Sequence, residues 1–177
     1  MRCQERGLIH IYCGNGKGKT TAALGLAVRA AGRGRRVCIA RFLKTEDSGE
    51  VPVLRQIPQI HVLPCEKSFG FTFRMTEGER REAALYYGGL FAEATARAKQ
   101  DVDLLILDEI IGACNAGLVE KEALERSLKE KPPALEVILT GRGPWEEILK
   151  MADYVTEMEM RRHPYEKGIG AREGIEY

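Results

Sequence analysis

Short apolar runs alternate along the chain with longer segments in which apolar positions recur at helical spacing. The short runs are rich in Val, Ile and Leu, which predicts strands near residues 8–12, 37–42, 60–63, 104–107, 136–140 and 154–158, with those at 37–42 and 136–140 buried. The segments between them predict helices over residues 18–32, 53–57, 76–100, 118–131 and 144–151. We therefore expect an α/β fold of three layers, in which helices cover both faces of a mostly parallel sheet.

A segment rich in glycine and lysine joins the first predicted strand to the first predicted helix. It comprises Gly14, Asn15, Gly16, Lys17, Gly18, Lys19, Thr20 and Thr21. Glycines allow backbone N–H groups to surround phosphate oxygens, and the helix N-terminus adds partial positive charge. Lys19 and Thr20 occupy the lysine and Mg²⁺-binding hydroxyl positions of a Walker A loop, although Cys13 replaces its first glycine. The segment predicts a nucleoside triphosphate site in a P-loop NTPase (RecA-like) fold.

Polar residues also follow two other predicted strands. Asp108 and Glu109 end one apolar run, and Thr140, Gly141 and Arg142 end another. The carboxyl ends of parallel strands meet at one edge of the sheet, so we expect these residues beside the P-loop. An apolar run that ends in Asp-Glu is common by itself. Beside a P-loop, however, it favours a Walker-B-type site in which Thr20, Asp108 and Glu109 bind Mg²⁺.

Composition predicts one globular domain, residues 1–177. The chain is 44% hydrophobic and 30% charged, and its formal net charge of +1 favours neither nucleic acid nor a membrane surface as a partner. No apolar run approaches the roughly 20 residues of a membrane span, and residues 1–6 lack a signal-peptide core. The five cysteines are scattered, which is typical of free thiols in a reducing cytoplasm. We therefore expect a cytoplasmic protein.

The segment 67–75 contains Phe69, Phe71 and Phe73 outside any periodic element. Exposed apolar residues in a loop often mark a ligand or partner surface. The rings could equally pack into the core, and the sequence leaves these two interpretations open.

Over nearly the whole chain from Gly7, the sequence resembles the P-loop class of corrinoid adenosyltransferases, which act on cob(I)alamin or cob(I)yrinic acid a,c-diamide. The resemblance lies in residues 14–23, 107–109, 138–144, 152–158, 163–164, 168–169 and 174–176. A Walker A motif without its first glycine is usual in that family, although threonine is the residue expected at Cys13.

The resemblance implies that Co(I) of a reduced corrinoid attacks C5′ of ATP and expels triphosphate. Lys17, Lys19 and the loop amides would bind the triphosphate of Mg-ATP, with Asn15 and Arg142 as further contacts. Lys19, Thr20 and Glu109 would be the catalytic residues, and Thr20 with Asp108 or Glu109 would bind Mg²⁺. Because the nucleophile belongs to the corrinoid, the protein needs no nucleophilic side chain of its own.

The same resemblance assigns Phe71 and Phe73 to an aromatic pair beneath the corrin ring, where the second residue is usually tryptophan. These rings would exclude the lower axial ligand of cobalt and so ease reduction of Co(II). The resemblance also implies a homodimer, and a reducing flavoprotein or reduced flavin as the electron donor.

Two other functions remain open on the residues alone. In another P-loop ATPase or kinase, one carboxylate of Asp108 and Glu109 would bind the metal and the other would activate water. In a non-catalytic corrinoid carrier, nucleotide would only control the binding of the corrinoid.

Overall fold

The computed structural model describes residues 6–67, 69–70 and 72–177, apart from the side chain of Phe73. The strands are β1 (Ile9–Cys13), β2 (Val37–Arg41), β3 (Ile60–Val62), β4 (Leu104–Asp108), β5 (Glu136–Thr140) and β6 (Tyr154–Glu157). The α-helices are α1 (Lys19–Ala31), α2 (Glu50–Leu54), α3 (Glu77–Ala98), α4 (Ile110–Asn115), α5 (Lys121–Lys129) and α6 (Glu146–Met151). Short 3-10 turns cover Thr72–Arg74 and Pro164–Lys167.

The six strands form one sheet in the order β3-β2-β4-β5-β1-β6, and every pair is parallel. The predicted parallel α/β fold is therefore confirmed. In the register of the sheet, Tyr12 lies opposite Thr140 and Arg41 opposite Asp108. The carboxyl ends of β1, β2, β4 and β5 consequently meet at one edge, where the P-loop begins.

Apolar side chains cover both faces of the sheet. Alternate residues of a strand point to opposite faces, so Leu105 and Leu107 of β4 join one core cluster while Leu104 and Ile106 join the other. Small residues of α1, such as Ala23 and Ala27, pack in the second cluster. Burial on both faces explains why the inner strands β2 and β4 read as nearly continuous apolar runs, whereas the edge strand β6 is exposed at all four residues.

Two predicted helices begin close to the expected residues because local signals define their ends. Thr76 and Glu79 form the predicted capping box: the Thr76 hydroxyl accepts from the Glu79 N–H at 3.2 Å, and the Thr76 N–H donates to Glu79 Oε2 at 2.8 Å. Helix α1 starts after Gly18 and is followed by Gly32, as the glycines indicated.

One helix was not predicted, and two helix predictions need correction. Helix α4 was not predicted, because its residues are mostly apolar and follow β4 with only Glu109 between them. Helix α2 lies three residues earlier than expected, since Pro52 is tolerated in a first helical turn. Helix α5 begins at Lys121 rather than residue 118. Within the described part of the chain, no helix is both long and apolar enough to cross a membrane.

Candidate active site

The P-loop leaves β1 and packs against the chain that follows β6. The Gly16 N–H donates to the Met158 carbonyl oxygen at 2.6 Å. A Cβ added at Gly16 would lie 2.6 Å from that oxygen, so a larger residue would push the loop away from its support. The loop enters α1 through Gly18, whose φ is +116°. The predicted order of strand, glycine loop and helix is therefore present.

Lys19 folds back over this loop. Its ammonium donates to the Gly16 carbonyl oxygen at 2.7 Å, and the residue is only 7% exposed. Burial lowers the pKa of Lys19, while the Glu109 carboxylate opposes that shift and the Arg142 guanidinium reinforces it. A cation kept in this partly desolvated position has much to gain from a phosphate anion.

Asp108 lies beneath the loop and is fully buried. Its Oδ1 accepts hydrogen bonds from the Thr20 hydroxyl at 3.0 Å and the Thr140 hydroxyl at 2.6 Å. Its Oδ2 accepts from the Lys44 ammonium at 2.6 Å. Residues from the ends of β4 and β5, the start of α1 and the loop after β2 therefore meet at one carboxylate.

Glu109 adopts a left-handed backbone conformation, with φ of +61°, which turns the chain from β4 into α4. Its N–H donates to the Thr140 hydroxyl at 2.8 Å. Burial raises the pKa of Glu109, and the neighbouring Asp108 carboxylate raises it further, whereas Lys44 and Lys19 lower it. Left-handed conformations of non-glycine residues are costly and tend to occur at functional sites.

Helix α4 supports the third segment of the site. The Asn115 side-chain amide at its end donates to the carbonyl oxygens of Arg142 and Gly143 at 3.0 and 2.9 Å. At Gly141, with φ of +145°, a Cβ would lie 2.7 Å from Ile111 Cβ. Glycine therefore allows α4 to approach the Thr140–Arg142 turn closely and to hold it beside Glu109.

These elements surround an open cleft of about 970 Å³, here called the P-loop cleft. Most of the residues predicted for the site line it, namely Asn15, Gly16, Lys17, Gly18, Lys19, Thr20, Thr21, Glu109 and Arg142. Gly14 lies against Met158 instead, and Asp108 lies below the cleft floor. The size is at the upper end of the range of about 300–1,000 Å³ usual for small-molecule sites.

The C-terminal tail, residues 161–177, also reaches this cleft. Lys17 donates to the Ile175 carbonyl oxygen at 3.0 Å and to Glu176 Oε1 at 2.8 Å. Hydrogen bonds from Arg172 and then Lys17 lower the pKa of Glu176 to about 2. The Asn15 side-chain oxygen accepts from the Met160 N–H at 2.9 Å. Of the predicted ligand-binding residues, Lys17 thus contacts the tail, and Asn15 contacts Met160 just before it.

The aromatic segment is described only in part. Phe71 and the side chain of Phe73, the residues assigned to a corrinoid, lie outside the described residues. Phe69 is partly buried and packs against Tyr86 and Tyr87, with ring centroids 5.8 Å apart in each pair. For Phe69, packing into the core is therefore the correct interpretation.

Lys44 is a residue of the site that sequence reasoning missed. It lies in the polar segment after β2, which showed no motif. The available signal was its position three residues beyond a buried parallel strand, because ligand-binding residues gather at such strand ends.

The oxygen donors beside the P-loop fit Mg²⁺. Thr20, Asp108 and Glu109 provide one hydroxyl and two carboxylates, and Mg²⁺ prefers such hard ligands. No group of three His, Cys, Asp or Glu side chains suited to a metal occurs among the residues that the structure describes. Mg²⁺ at nucleotide sites commonly takes one or two protein oxygens and completes its shell with phosphate and water.

A parallel sheet with a glycine loop between β1 and α1, and an acidic strand end beside that loop, defines the fold of the P-loop NTPase class. Within this class, the model of the family "ATP:corrinoid adenosyltransferase BtuR/CobO/CobP" matches residues 5–177, and the chain belongs to that family.

Named relatives agree with this assignment. The corrinoid adenosyltransferase of Pseudomonas aeruginosa is 33% identical over 177 residues, which cover 98% of this chain and 85% of the relative. The corrinoid adenosyltransferase CobA of Salmonella typhimurium is 35% identical over an alignment of 178 positions, which covers 98% of this chain and 87% of the relative. Among solved structures, a KaiC-like protein of Pyrococcus horikoshii is 14% identical over 89% of this chain and 75% of its own, with a TM-score of 0.49.

Proposed function

We propose that this protein, acting as a single domain, transfers the 5′-deoxyadenosyl group of ATP to Co(I) of a reduced corrinoid. The observation that carries the proposal is the match to the adenosyltransferase family over residues 5–177, which includes every element of the P-loop cleft. In the reaction, the Co(I) electron pair forms the Co–C5′ bond while the C5′–O bond breaks. The bonding electrons leave with the triphosphate.

The loop binds the triphosphate. Lys19 is already desolvated and exchanges its contact with the Gly16 carbonyl for phosphate oxygens. Lys17 and Arg142 line the same cleft and add positive charge, and Asn15 adds a polar contact. Charge develops on the leaving triphosphate, so preorganised cations and amides there stabilise the transition state more than the substrate.

Thr20 together with Asp108 or Glu109 would hold Mg²⁺. When bound, the ion neutralises charge on the triphosphate and orients it. Asp108 positions the Thr20 hydroxyl, since the two side chains are hydrogen-bonded at 3.0 Å. The protein itself supplies no nucleophile, and its catalytic work is to align C5′ with the cobalt and to stabilise the leaving group.

Phe71 and Phe73 contact the corrinoid and keep the lower axial ligand away from cobalt. Replacing either phenylalanine with alanine is expected to lower adenosylation by at least about tenfold, because placement of the reacting centres is lost. Binding of Mg-ATP should stay within about twofold, the difference expected when no nucleotide contact is removed. Calorimetry with ATP and the anaerobic assay below measure the two effects, and Phe69→Ala is the matched aromatic control. Equal losses of ATP binding and adenosylation would contradict this assignment.

We further infer that the protein works in the cytoplasm as a homodimer, with a reducing flavoprotein or reduced flavin as electron donor. The dimer and the electron donor rest on the family alone, and the cytoplasmic location rests on the scattered cysteines of the sequence. Sedimentation velocity tests the dimer. Replacing the chemical reductant in the assay by reduced flavin tests the donor.

An anaerobic assay tests the reaction. The protein is mixed with Mg-ATP and chemically reduced cob(I)alamin, and visible absorbance and phosphate products are followed. A light-sensitive alkylcobalamin with intact triphosphate, lost in Lys19→Ala, is the expected result. Steady orthophosphate without a cobalt–carbon product would indicate an ATPase or kinase. Corrinoid retention without any product would indicate a carrier.

A further inference from the structure

The ammonium of Lys44 lies between the two oxygen groups proposed to hold Mg²⁺. Its Nζ is 2.6 Å from the Thr20 hydroxyl oxygen and 2.6 Å from Asp108 Oδ2. The Thr20 hydroxyl in turn donates to Asp108 Oδ1 at 3.0 Å. Lys44, Thr20 and Asp108 therefore form a closed triangle, with a cation at the corner that faces the P-loop cleft.

The backbone around Lys44 directs its side chain to this position. Leu43 has a φ of +56°, a left-handed conformation that a branched residue adopts at a cost of about 1–3 kcal/mol. The Lys44 carbonyl oxygen accepts from the Cys65 thiol at 3.3 Å, which anchors the turn. Such strain persists only where the surrounding structure over-determines it. We attribute the strained turn at Leu43 to the placement of the Lys44 ammonium against Asp108.

The charge balance explains why a cation is needed there. Asp108 is fully buried, and a buried carboxylate without a counter-charge is strongly unfavourable. Thr20 and Thr140 supply hydrogen bonds to it, and Lys44 forms its ion pair. The Lys44 side chain is 23% exposed, so it can leave toward the cleft without crossing the core.

We propose that Lys44 is the resident counter-ion of the magnesium site before metal binds, and that Mg²⁺ displaces its ammonium toward the triphosphate when Mg-ATP binds. This inference rests on the proposed function, because it assumes the Mg²⁺ site at Thr20 and Asp108. Mg²⁺ bound to both of these oxygens would strongly repel an ammonium that lies 2.6 Å from each of them, so metal binding is expected to move Lys44. Its side chain borders the same cleft as Gly16 and Lys19, where phosphate oxygens offer a new anionic partner.

Displacement of the Lys44 ammonium couples the binding of Mg²⁺ to the binding of ATP. Without ATP, Mg²⁺ must compete with an ammonium that is paired with Asp108 at 2.6 Å. With ATP, the released ammonium gains the triphosphate, so each ligand strengthens the binding of the other. Lys44 is thus a positioning residue that suppresses metal binding in the absence of ATP.

Metal binding to Lys44→Met without ATP or corrinoid tests the proposal. The probe is Mn²⁺, whose free concentration is read by electron paramagnetic resonance, with Mg²⁺ as competitor. We expect Lys44→Met to bind Mn²⁺ at least about tenfold more tightly than the natural protein, a usual size for such coupling. The gain in metal affinity that ATP produces should shrink by a similar factor.

The matched control is Lys150→Met. Lys150 is exposed and pairs with Glu146 one helical turn away at 2.6 Å, so its loss removes a lysine charge outside the cleft. Its Mn²⁺ affinity should equal that of the natural protein. Equal Mn²⁺ affinity in Lys44→Met and Lys150→Met would overturn the proposal.

A second measurement needs no neutral variant. Ammonium signals of ¹⁵N-lysine-labelled protein are recorded by NMR, and Lys44 is assigned by its absence from Lys44→Arg. The Lys44 signal should shift with Mg²⁺ and ATP together and much less with ATP and EDTA. An identical Lys44 signal in both conditions would overturn the proposal. Neither measurement contains a corrinoid, so failure of adenosyl transfer would leave both results interpretable.

Discussion

Asp108 and Glu176 are two carboxylates at the P-loop cleft, and the protein holds them in different ways. Asp108 is fully buried at the end of β4 and contacts residues from the other elements that meet at the cleft floor. Glu176 belongs to the exposed tail and contacts Lys17 and Arg172 at the surface. Buried ion pairs are costly to break, whereas surface pairs contribute about 0–1 kcal/mol. Asp108 is therefore fixed beneath the cleft floor, whereas Glu176 and the tail can be exchanged for a ligand.

The largest expected effect is on the affinity for ATP, at the buried Lys19 of the P-loop. Lys19→Ala should weaken Mg-ATP binding by about 100-fold, equivalent to about 2.7 kcal/mol, because a desolvated cation facing phosphate is lost. Thermal stability should change little, since burial already disfavours the Lys19 charge. Calorimetry measures the affinity for Mg-ATP, and thermal unfolding measures the stability. Lys150→Ala is the control, and unchanged ATP affinity in Lys19→Ala would refute the proposed phosphate role.

The next effect is on folding. Asp108→Asn leaves the Lys44 ammonium without its carboxylate, and we expect a loss of about 2–3 kcal/mol in the free energy of unfolding, below the full cost for a buried pair because Lys44 is partly exposed. Urea unfolding measures it. Lys44→Met combined with Asp108→Asn should recover part of the loss, since neither charge remains. Additive losses in the double variant would show that the two side chains are not coupled.

A smaller effect concerns the pH dependence of stability, which involves Glu109. The folded-state pKa of Glu109 lies above its ordinary value of 4.5, so the folded protein binds the extra proton more readily than the unfolded chain. The free energy of unfolding should therefore fall as the pH rises from about 4.5 through the raised pKa, by about 1.4 kcal/mol for each pH unit that separates the two pKa values. Glu109→Gln should remove this slope and raise stability at neutral pH. Urea unfolding at several pH values measures it, and an unchanged slope in Glu109→Gln would refute the assignment.

The smallest effect belongs to the tail. The pKa of Glu176, about 2, lies below its ordinary value of 4.5, so the tail contact is present above pH 4.5 and lost as the pH falls from about 4.5 to about 2. Glu176→Gln should change the KM for ATP by less than about fivefold at neutral pH, and should increase proteolysis of the tail. Glu173→Gln, in the same tail, is the control. If Glu176→Gln lost more ATP affinity than Lys19→Ala, the tail rather than the P-loop would be the main binding element, and the comparison would be refuted.

The sequence was sufficient where the signals are local. The glycine spacing around Lys19, the capping box at Thr76 and the six apolar runs each depend on neighbours within a few residues. The expected meeting of Thr20, Asp108 and Thr140 also followed, because parallel strands end at a common edge.

Only the tertiary structure decided the strand order and the contacts that depend on it. Strand β2 lies beside β4, which brings Lys44 to Asp108 across 64 residues of chain. The tail contact joins Lys17 to Glu176 across 159 residues, and no periodic pattern in the sequence predicts it. Helix α4 escaped prediction because one left-handed residue, Glu109, turns an apolar run out of the sheet. Periodicity records which face of an element is buried, whereas the partner on that face is selected by the packing of the whole sheet.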